Sequence, residues 1–97
     1  MVVHMVLFKF KPEITEDYLA KMSQALLALP NAIEQIKEIS FGKNFSDRSQ
    51  GYEYGLLVKF ASREDLAVYQ THPAHVTVVN ELVKPVLSGI LAVDYQA

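Results

Sequence analysis

The chain has 97 residues, which suits one domain, and we expect a single domain over residues 1–97. Its formal net charge of -2 and the absence of a basic run argue against a nucleic-acid partner. There is no cysteine, which excludes disulfides, thiolate metal ligands and a cysteine nucleophile. Hydrophobic residues make up 51% of the chain, an excess that burial in an oligomer interface would relieve.

The apolar beginning of the chain does not resemble a targeting segment. It has neither the basic start nor the small-residue cleavage site of a signal peptide, and its apolar run is far shorter than the roughly 18 residues of a membrane span. We therefore expect no membrane association and a cytoplasmic protein.

Val2 to Phe10 is predicted to form the first strand, because β-branched and aromatic residues dominate it and Pro12 follows. Alternate residues fall on two faces, one containing His4 and Phe8 and the other containing Met5, and both faces are largely apolar. A strand with one face in water would alternate with polar residues. We therefore expect the helices to cover one face and a partner subunit to cover the other.

The first helix is predicted to begin after Thr15, an N-cap residue followed by two acidic residues. Its apolar residues repeat at helical spacing, and Pro30 ends it. A second strand is expected from Ile33 to Phe41, and the polar segment from Gly42 to Gly51 is expected to be a loop.

The second half of the chain predicts two strands and two helical segments. Tyr52 to Phe60 is expected to be the third strand, and Ser62 to cap a short helix that continues through Tyr69. Pro73 suits the first turn of a further helix, which should end near Gly89. A last strand is expected over the segment 90–95.

These elements follow the order β-α-β-β-α-β, the ferredoxin-like arrangement of an α+β domain. It predicts a four-stranded antiparallel sheet with its helices on one face. The other face is apolar here, so two such sheets packed face to face would form a dimeric α+β barrel. A homodimer is therefore the expected assembly.

Four segments of the sequence together resemble the stress-responsive A/B-barrel (Dabb) family. They are HMVLFKFKP near the start, GYEYGLLVKF in the middle, YQTHPAHVTVV after it and the closing VDY. The resemblance extends over essentially the whole chain in the same order. Its most specific part is the Y-x-x-H-P-x-H motif from Tyr69 to His75.

The resemblance implies a homodimeric α+β barrel that works without a cofactor. Within the family, the plant olivetolic acid cyclases close a linear polyketide by an aldol reaction, with a catalytic Tyr and His that correspond to Tyr69 and His75. A histidine near the start of the first strand corresponds to His4, and Tyr54 stands where the cyclases have a further pocket histidine. The resemblance thus implies His4 and Tyr54 as substrate-binding residues, with a polar lining that differs from that of the cyclases.

The chemistry of the residues themselves permits a proton-transfer site. His75 lies in the first turn after Pro73 and shares an apolar stripe with Val79. A helix N-terminus and burial both favour a neutral imidazole, which can act as a general base. A sharp corner in the three-residue link after Tyr69 would bring the phenol to the imidazole. The structural alternative is that His75 packs the helix start and Tyr69 fills the edge of the core.

The other two histidines have simpler explanations. His72 precedes a proline and is expected to be the N-cap of the following helix, while His4 suits a hydrogen-bonded core residue. The H-x-x-H spacing of His72 and His75 is interrupted by Pro73 and has no nearby pair of carboxylates, so no metal site is expected.

Three interpretations of the function remain open from the sequence. The first is a cofactor-independent, cyclase-type enzyme acting on an apolar, carbonyl-rich molecule, and it predicts a cavity lined by His4, Tyr54, Tyr69 and His75. The second is a dimer without catalytic activity that sequesters such a molecule or acts in the stress response. The third is an enzyme similar to cofactor-free monooxygenases.

Overall fold

Four antiparallel strands form one sheet in the computed structural model, which describes all of residues 1–97. The strands are β1 (Val2–Phe10), β2 (Glu38–Lys43), β3 (Tyr54–Phe60) and β4 (Leu87–Gln96). Their order across the sheet is β2-β3-β1-β4. The first strand therefore lies between β3 and β4, with sheet neighbours on both sides.

Three helices complete the domain: α1 (Glu16–Leu27), α2 (Arg63–Thr71) and α3 (Pro73–Val78). A short 3-10 turn at Leu29–Asn31 follows α1. After α3 the chain continues as a π-helical turn and then a 3-10 turn at Lys84–Val86, before it enters β4. This is the expected ferredoxin-like arrangement, so the predicted fold class is confirmed.

Side-chain caps fix where the first two helices begin. The Thr15 hydroxyl accepts a hydrogen bond from the Tyr18 amide at 3.1 Å, and the Ser62 hydroxyl accepts one from the Asp65 amide at 3.2 Å. Each satisfies one of the amides that a helix leaves free in its first turn. Both predicted caps are confirmed.

The sheet has one face covered by helices and one bare face. His4, Val6 and Phe8 of β1 lie on the covered face, which packs on α1 and α2 through one apolar core. The bare face is also apolar, and its β4 side chains are about half exposed. It contains Val3, Met5, Leu7, Leu57, Leu91, Val93 and Tyr95.

Several predicted boundaries were wrong. The second strand begins at Glu38 and not at Ile33, because Ile33 belongs to turns that bury it in the core at 1% exposure. The third strand begins two residues later than predicted, at Tyr54. The last strand begins earlier, at Leu87, because Leu87 already pairs with Phe10 of β1 across a bulge.

The helix pair around the Y-x-x-H-P-x-H motif is tighter than predicted. Helix α2 continues past Tyr69 to Thr71, so His72 alone separates it from α3. The predicted link of three residues was therefore wrong. None of the helices combines the length and the apolar character that crossing a membrane requires.

Candidate functional site

An apolar cavity of about 310 Å³ lies between the covered face of the sheet and the helical segments that run from α2 to β4. We call it the sheet–helix cavity. Ten of its 14 lining residues are hydrophobic. The lining consists of His4, Val6, Phe8, Leu26, Leu56, Tyr69, Gln70, His75, Val79, Val83, Lys84, Leu87, Ile90 and Ala92.

Tyr69 projects from α2 into the core and is completely buried. Its ring packs on Phe60 at 5.1 Å between centroids. The hydroxyl has no hydrogen-bond partner within the chain, although buried polar groups normally have one. Burial also raises the pKa of Tyr69 above its ordinary range, which keeps the phenol protonated. The site therefore contains a hydrogen-bond donor that the protein itself leaves unused.

His75 lies in the first turn of α3, and its Nδ1 is 3.3 Å from the carbonyl oxygen of Gln70. A carbonyl oxygen only accepts, so Nδ1 carries the proton that is donated. In the neutral imidazole this assigns the lone pair to Nε2, which makes no hydrogen bond in the chain. The ring thus has the tautomer that a base facing a cavity requires.

The pKa of His75 is lower than its ordinary value of 6.5. Burial is the largest cause, because it disfavours the charged imidazolium. The hydrogen bond to the Gln70 carbonyl acts in the opposite direction, and the positive charges that His4 and His72 can carry lower the pKa further. The net effect is a neutral imidazole at neutral pH, able to accept a proton.

The rings of Tyr69 and His75 pack against each other in a tilted arrangement, with centroids 4.1 Å apart and planes inclined at 36°. The tight corner between α2 and α3 produces this contact. At the corner, His72 is extended and its Nδ1 accepts a hydrogen bond from the Ala74 amide at 3.1 Å, so the prediction that His72 caps α3 is confirmed. His72 does not line the sheet–helix cavity.

His4 lines the same cavity from the sheet side, and its ring lies 5.9 Å from the Tyr69 ring in an edge arrangement. Its Nδ1 bonds the carboxylate of Asp94, which is the residue directly opposite it in the β1–β4 ladder. Asp94 was not predicted from the sequence, because only the strand register brings these two residues together. The carboxylate restricts the ring orientation of His4 and directs its other nitrogen away from Asp94.

Tyr54 lies outside the sheet–helix cavity, contrary to its expected place in the lining. It shares the covered face of the sheet with His4 but is opposite Lys43 of the edge strand β2. Its ring stacks on Phe41 at 5.4 Å and packs on Phe10 at 5.7 Å. It borders a separate groove beside α1. The structure therefore brings together His4, Tyr69 and His75, and leaves Tyr54 apart.

The wall of the cavity opposite the sheet includes the π-helical turn Val79–Val83. Such turns are rare and occur often at functional sites, because the wider turn redirects side chains. Two polar residues of the lining, Gln70 and Lys84, were also not predicted from the sequence. Both are exposed residues on helical segments, and their types alone carried no signal of a site.

The family model of the stress responsive A/B barrel domain matches residues 2–97. A stress-response A/B barrel domain-containing protein of Arabidopsis thaliana is 35% identical over the full chain, which spans only 37% of that protein. The olivetolic acid cyclase of Cannabis sativa is 35% identical over 77 residues, covering 77% of this chain and 76% of the cyclase.

Solved structures show the same fold. The crystal structure of an Arabidopsis thaliana protein has a TM-score of 0.92 at 30% identity, covering 100% of this chain and 95% of the other. A dimeric ferredoxin-like protein of unknown function from Thermobifida fusca has a TM-score of 0.86 at 25% identity, covering 99% and 90%. Since the family match extends over nearly every residue and the fold agrees, the chain belongs to the stress-responsive A/B barrel domain family.

Proposed function

We propose that this protein is a cofactor-independent enzyme that uses His75 as a general base on a small, apolar, carbonyl-rich molecule. The observation that carries the proposal is the packing of the His75 imidazole on the Tyr69 ring in the wall of an apolar cavity. Its Nε2 is unbonded while Nδ1 is held by the Gln70 carbonyl. A base of this kind needs a ligand beside it, and the cavity has room for one.

The reaction proposed is an aldol-type ring closure. Nε2 of His75 takes a proton from a carbon that lies between two carbonyl groups, and an enolate forms. The enolate carbon attacks a distant carbonyl carbon of the same molecule, so that a C–C bond forms and the carbonyl π bond breaks. The resulting alkoxide takes the proton back from the imidazolium. Loss of water and enolisation then give an aromatic ring, with no net oxidation or reduction.

Tyr69 has a separate role in this proposal. Its raised pKa keeps the phenol protonated, so the hydroxyl donates a hydrogen bond to a carbonyl oxygen of the substrate. That bond strengthens as negative charge develops on the oxygen in the enolate, which is the condition for lowering the barrier. The hydroxyl has no partner within the chain, so binding a carbonyl costs no existing hydrogen bond.

Similarity to a cyclase supports the class of reaction. The Cannabis sativa relative is an olivetolic acid cyclase and is 35% identical over most of this chain. The present lining contains His4, Tyr69 and His75 but not Tyr54, so the substrate has its own shape. Ring closure of a related polyketone is therefore proposed, and not the same reaction on the same molecule.

The proposed working form is a homodimer that closes into an α+β barrel through the bare face of the sheet. Leu91, Val93 and Tyr95 on that face are 47%, 48% and 49% exposed in the single chain. An apolar surface of this extent is typical of an interface. Solved relatives of the same fold are described as dimeric, which supports a second copy as the occupant.

The test uses a linear poly-β-keto acid with a short alkyl tail, and ring formation is followed by ultraviolet absorbance. We expect His75→Asn to reduce the rate at least about a hundredfold, because general-base catalysis contributes on that order. His72→Asn is the matched control: it removes a histidine three residues away, outside the cavity, and asparagine is itself a good N-cap. Its rate should equal that of the wild type.

Two outcomes would count against the enzyme. Equal rates for wild type and His75→Asn would remove His75 as the base. Recovery of the polyketo acid unchanged but bound to the protein would instead favour a dimer that sequesters the molecule.

A further inference from the structure

We propose that the ligand of the sheet–helix cavity carries an anionic group, a carboxylate at one end of an apolar body, and that Lys84 binds it. The inference rests on the proposed function, since it specifies the substrate class of the same site. It depends on the charges around the cavity and not on the identity of the base.

The charge of the cavity lining favours an anion. Beside ten hydrophobic residues, the lining contains only His4, Gln70, His75 and Lys84. None of them is acidic, and Lys84 is the one that is permanently charged at neutral pH. The Asp94 carboxylate lies outside the lining and bonds His4. An anionic ligand is therefore attracted by a cation of this lining and is not repelled by any carboxylate of the lining.

The ammonium group of Lys84 is available for a ligand. The structure contains two ion pairs, His4 with Asp94 and Lys59 with Glu38, and Lys84 takes part in neither. Glu81 lies three residues earlier on the same helical segment but forms no salt bridge with Lys84. The neighbouring Lys11 differs, because its ammonium donates to the Pro85 carbonyl at 3.1 Å. Only Lys84 combines a position in the lining with a cation that has no partner.

The position of Lys84 also suits a long ligand. His75 is in the first turn of α3, and Lys84 follows the π-helical turn nine residues later. A helical segment of that length spans roughly 13 Å. Phe8, Leu26 and Leu56 line the cavity with them. When the ligand's carboxylate is bound at Lys84, there is thus space for an apolar or keto-rich part of the ligand between the carboxylate and the carbon that reaches His75.

The experiment compares two eight-carbon probes that differ only in the polar end, octanoate and 1-octanol, at pH 7.5. Binding is followed by NMR through the imidazole protons of His75, which report occupancy of this cavity. The variants are Lys84→Met, which keeps the aliphatic part of the side chain, and Lys21→Met, which removes the same charge from an exposed position on α1 outside the cavity lining.

We expect Lys84→Met to weaken octanoate binding about fivefold, which is the contribution of an exposed ion pair. Binding of 1-octanol should stay within about twofold of the wild-type value. Lys21→Met should change neither, and 1 M salt should reduce the effect on octanoate because it screens exposed charges. If 1-octanol binds while octanoate binding is unchanged in Lys84→Met, Lys84 does not bind the carboxylate and this inference fails, while the cavity proposal stands. If neither probe shifts the imidazole proton signals of His75, both proposals fail.

Discussion

The rings of Tyr69 and His75 lie 4.1 Å apart, on two helices joined by the single residue His72. This corner places a buried phenol without a partner against a half-buried imidazole with a lowered pKa. The buried hydroxyl is unfavourable for stability where it stands, and together the two groups form a donor beside an acceptor. Buried polar groups without a partner are rare in native structures and call for an explanation such as a ligand.

Replacing Tyr69 by phenylalanine should stabilise the fold and impair the function. The change removes a buried hydroxyl that has no partner, so we expect the free energy of unfolding to rise by about 1 kcal/mol. Tyr18→Phe is the matched control, because that hydroxyl donates to the Leu82 carbonyl at 2.6 Å and its removal should cost about 1 kcal/mol. Urea unfolding measures both. A loss of stability in Tyr69→Phe would mean that the hydroxyl has a partner after all.

The lowered pKa of His75 makes stability depend on pH. The folded-state pKa lies below the ordinary value of 6.5, so between the two values the unfolded chain binds more protons. The contribution of neutral His75 to the free energy of unfolding is therefore fully present above pH 6.5, and it is lost as the pH falls through the folded-state pKa. We expect His75→Gln to lose less stability than the wild type between pH 7.5 and pH 5, measured by urea unfolding. Identical slopes for His75→Gln and the wild type would contradict the shift.

Asp94 should fix the tautomer of His4. In the wild type at pH 8 we expect neutral His4 to carry its proton on Nδ1, donated to the Asp94 carboxylate. Asp94→Ala removes the acceptor, so His4 should lose this preference, which long-range proton–nitrogen NMR detects directly. Glu53→Ala, which removes a carboxylate from the loop before β3, serves as the control. An unchanged His4 spectrum in Asp94→Ala would show that another group orients the ring.

The dimer interface can be tested with two valines of similar exposure. Val93 on the bare face is 48% exposed, and Val76 on α3 is 40% exposed. Val93→Lys places a charge in the proposed interface, where desolvation is costly, and should give a monomer in sedimentation equilibrium. Val76→Lys should remain dimeric. A dimer of unchanged affinity in Val93→Lys would place the interface elsewhere.

Much of the fold follows from local patterns. The alternation in β1 and the helical repeat after Thr15 each involve residues that are neighbours along the chain. Both elements could therefore be predicted from the sequence. The segment from Ile33 to Lys37 was misassigned because buried isoleucines are typical of strands as well as of tightly packed turns. The start of β4 was misplaced because Gly89 was interpreted as the end of the preceding helix, whereas it pairs with Lys9 of β1 in the sheet.

The residues alone predicted contacts of the candidate site only where these are close in sequence, and the expectation for His4 came from the family resemblance. Tyr69 and His75 belong to one motif, and a corner between helices brings them together. His4 and Asp94 are 90 residues apart, and they meet through the β1–β4 register, which neither strand encodes alone. Tyr54 was expected in the lining from the family resemblance, but alternation does not reveal that it lies towards the edge strand β2. Nothing in the sequence indicated that Lys84 lines a cavity, since an exposed lysine on a helix is common.

The most direct test of the proposed site is a titration with an apolar β-diketone such as 2,4-octanedione. NMR at pH 7.5 follows the imidazole protons of all three histidines, two of which line the sheet–helix cavity while His72 does not. We expect saturable shifts of His75 and His4 with His72 unchanged. Shifts of His72 as large as those of His75, or no shift at any histidine, would contradict a ligand site at Tyr69 and His75.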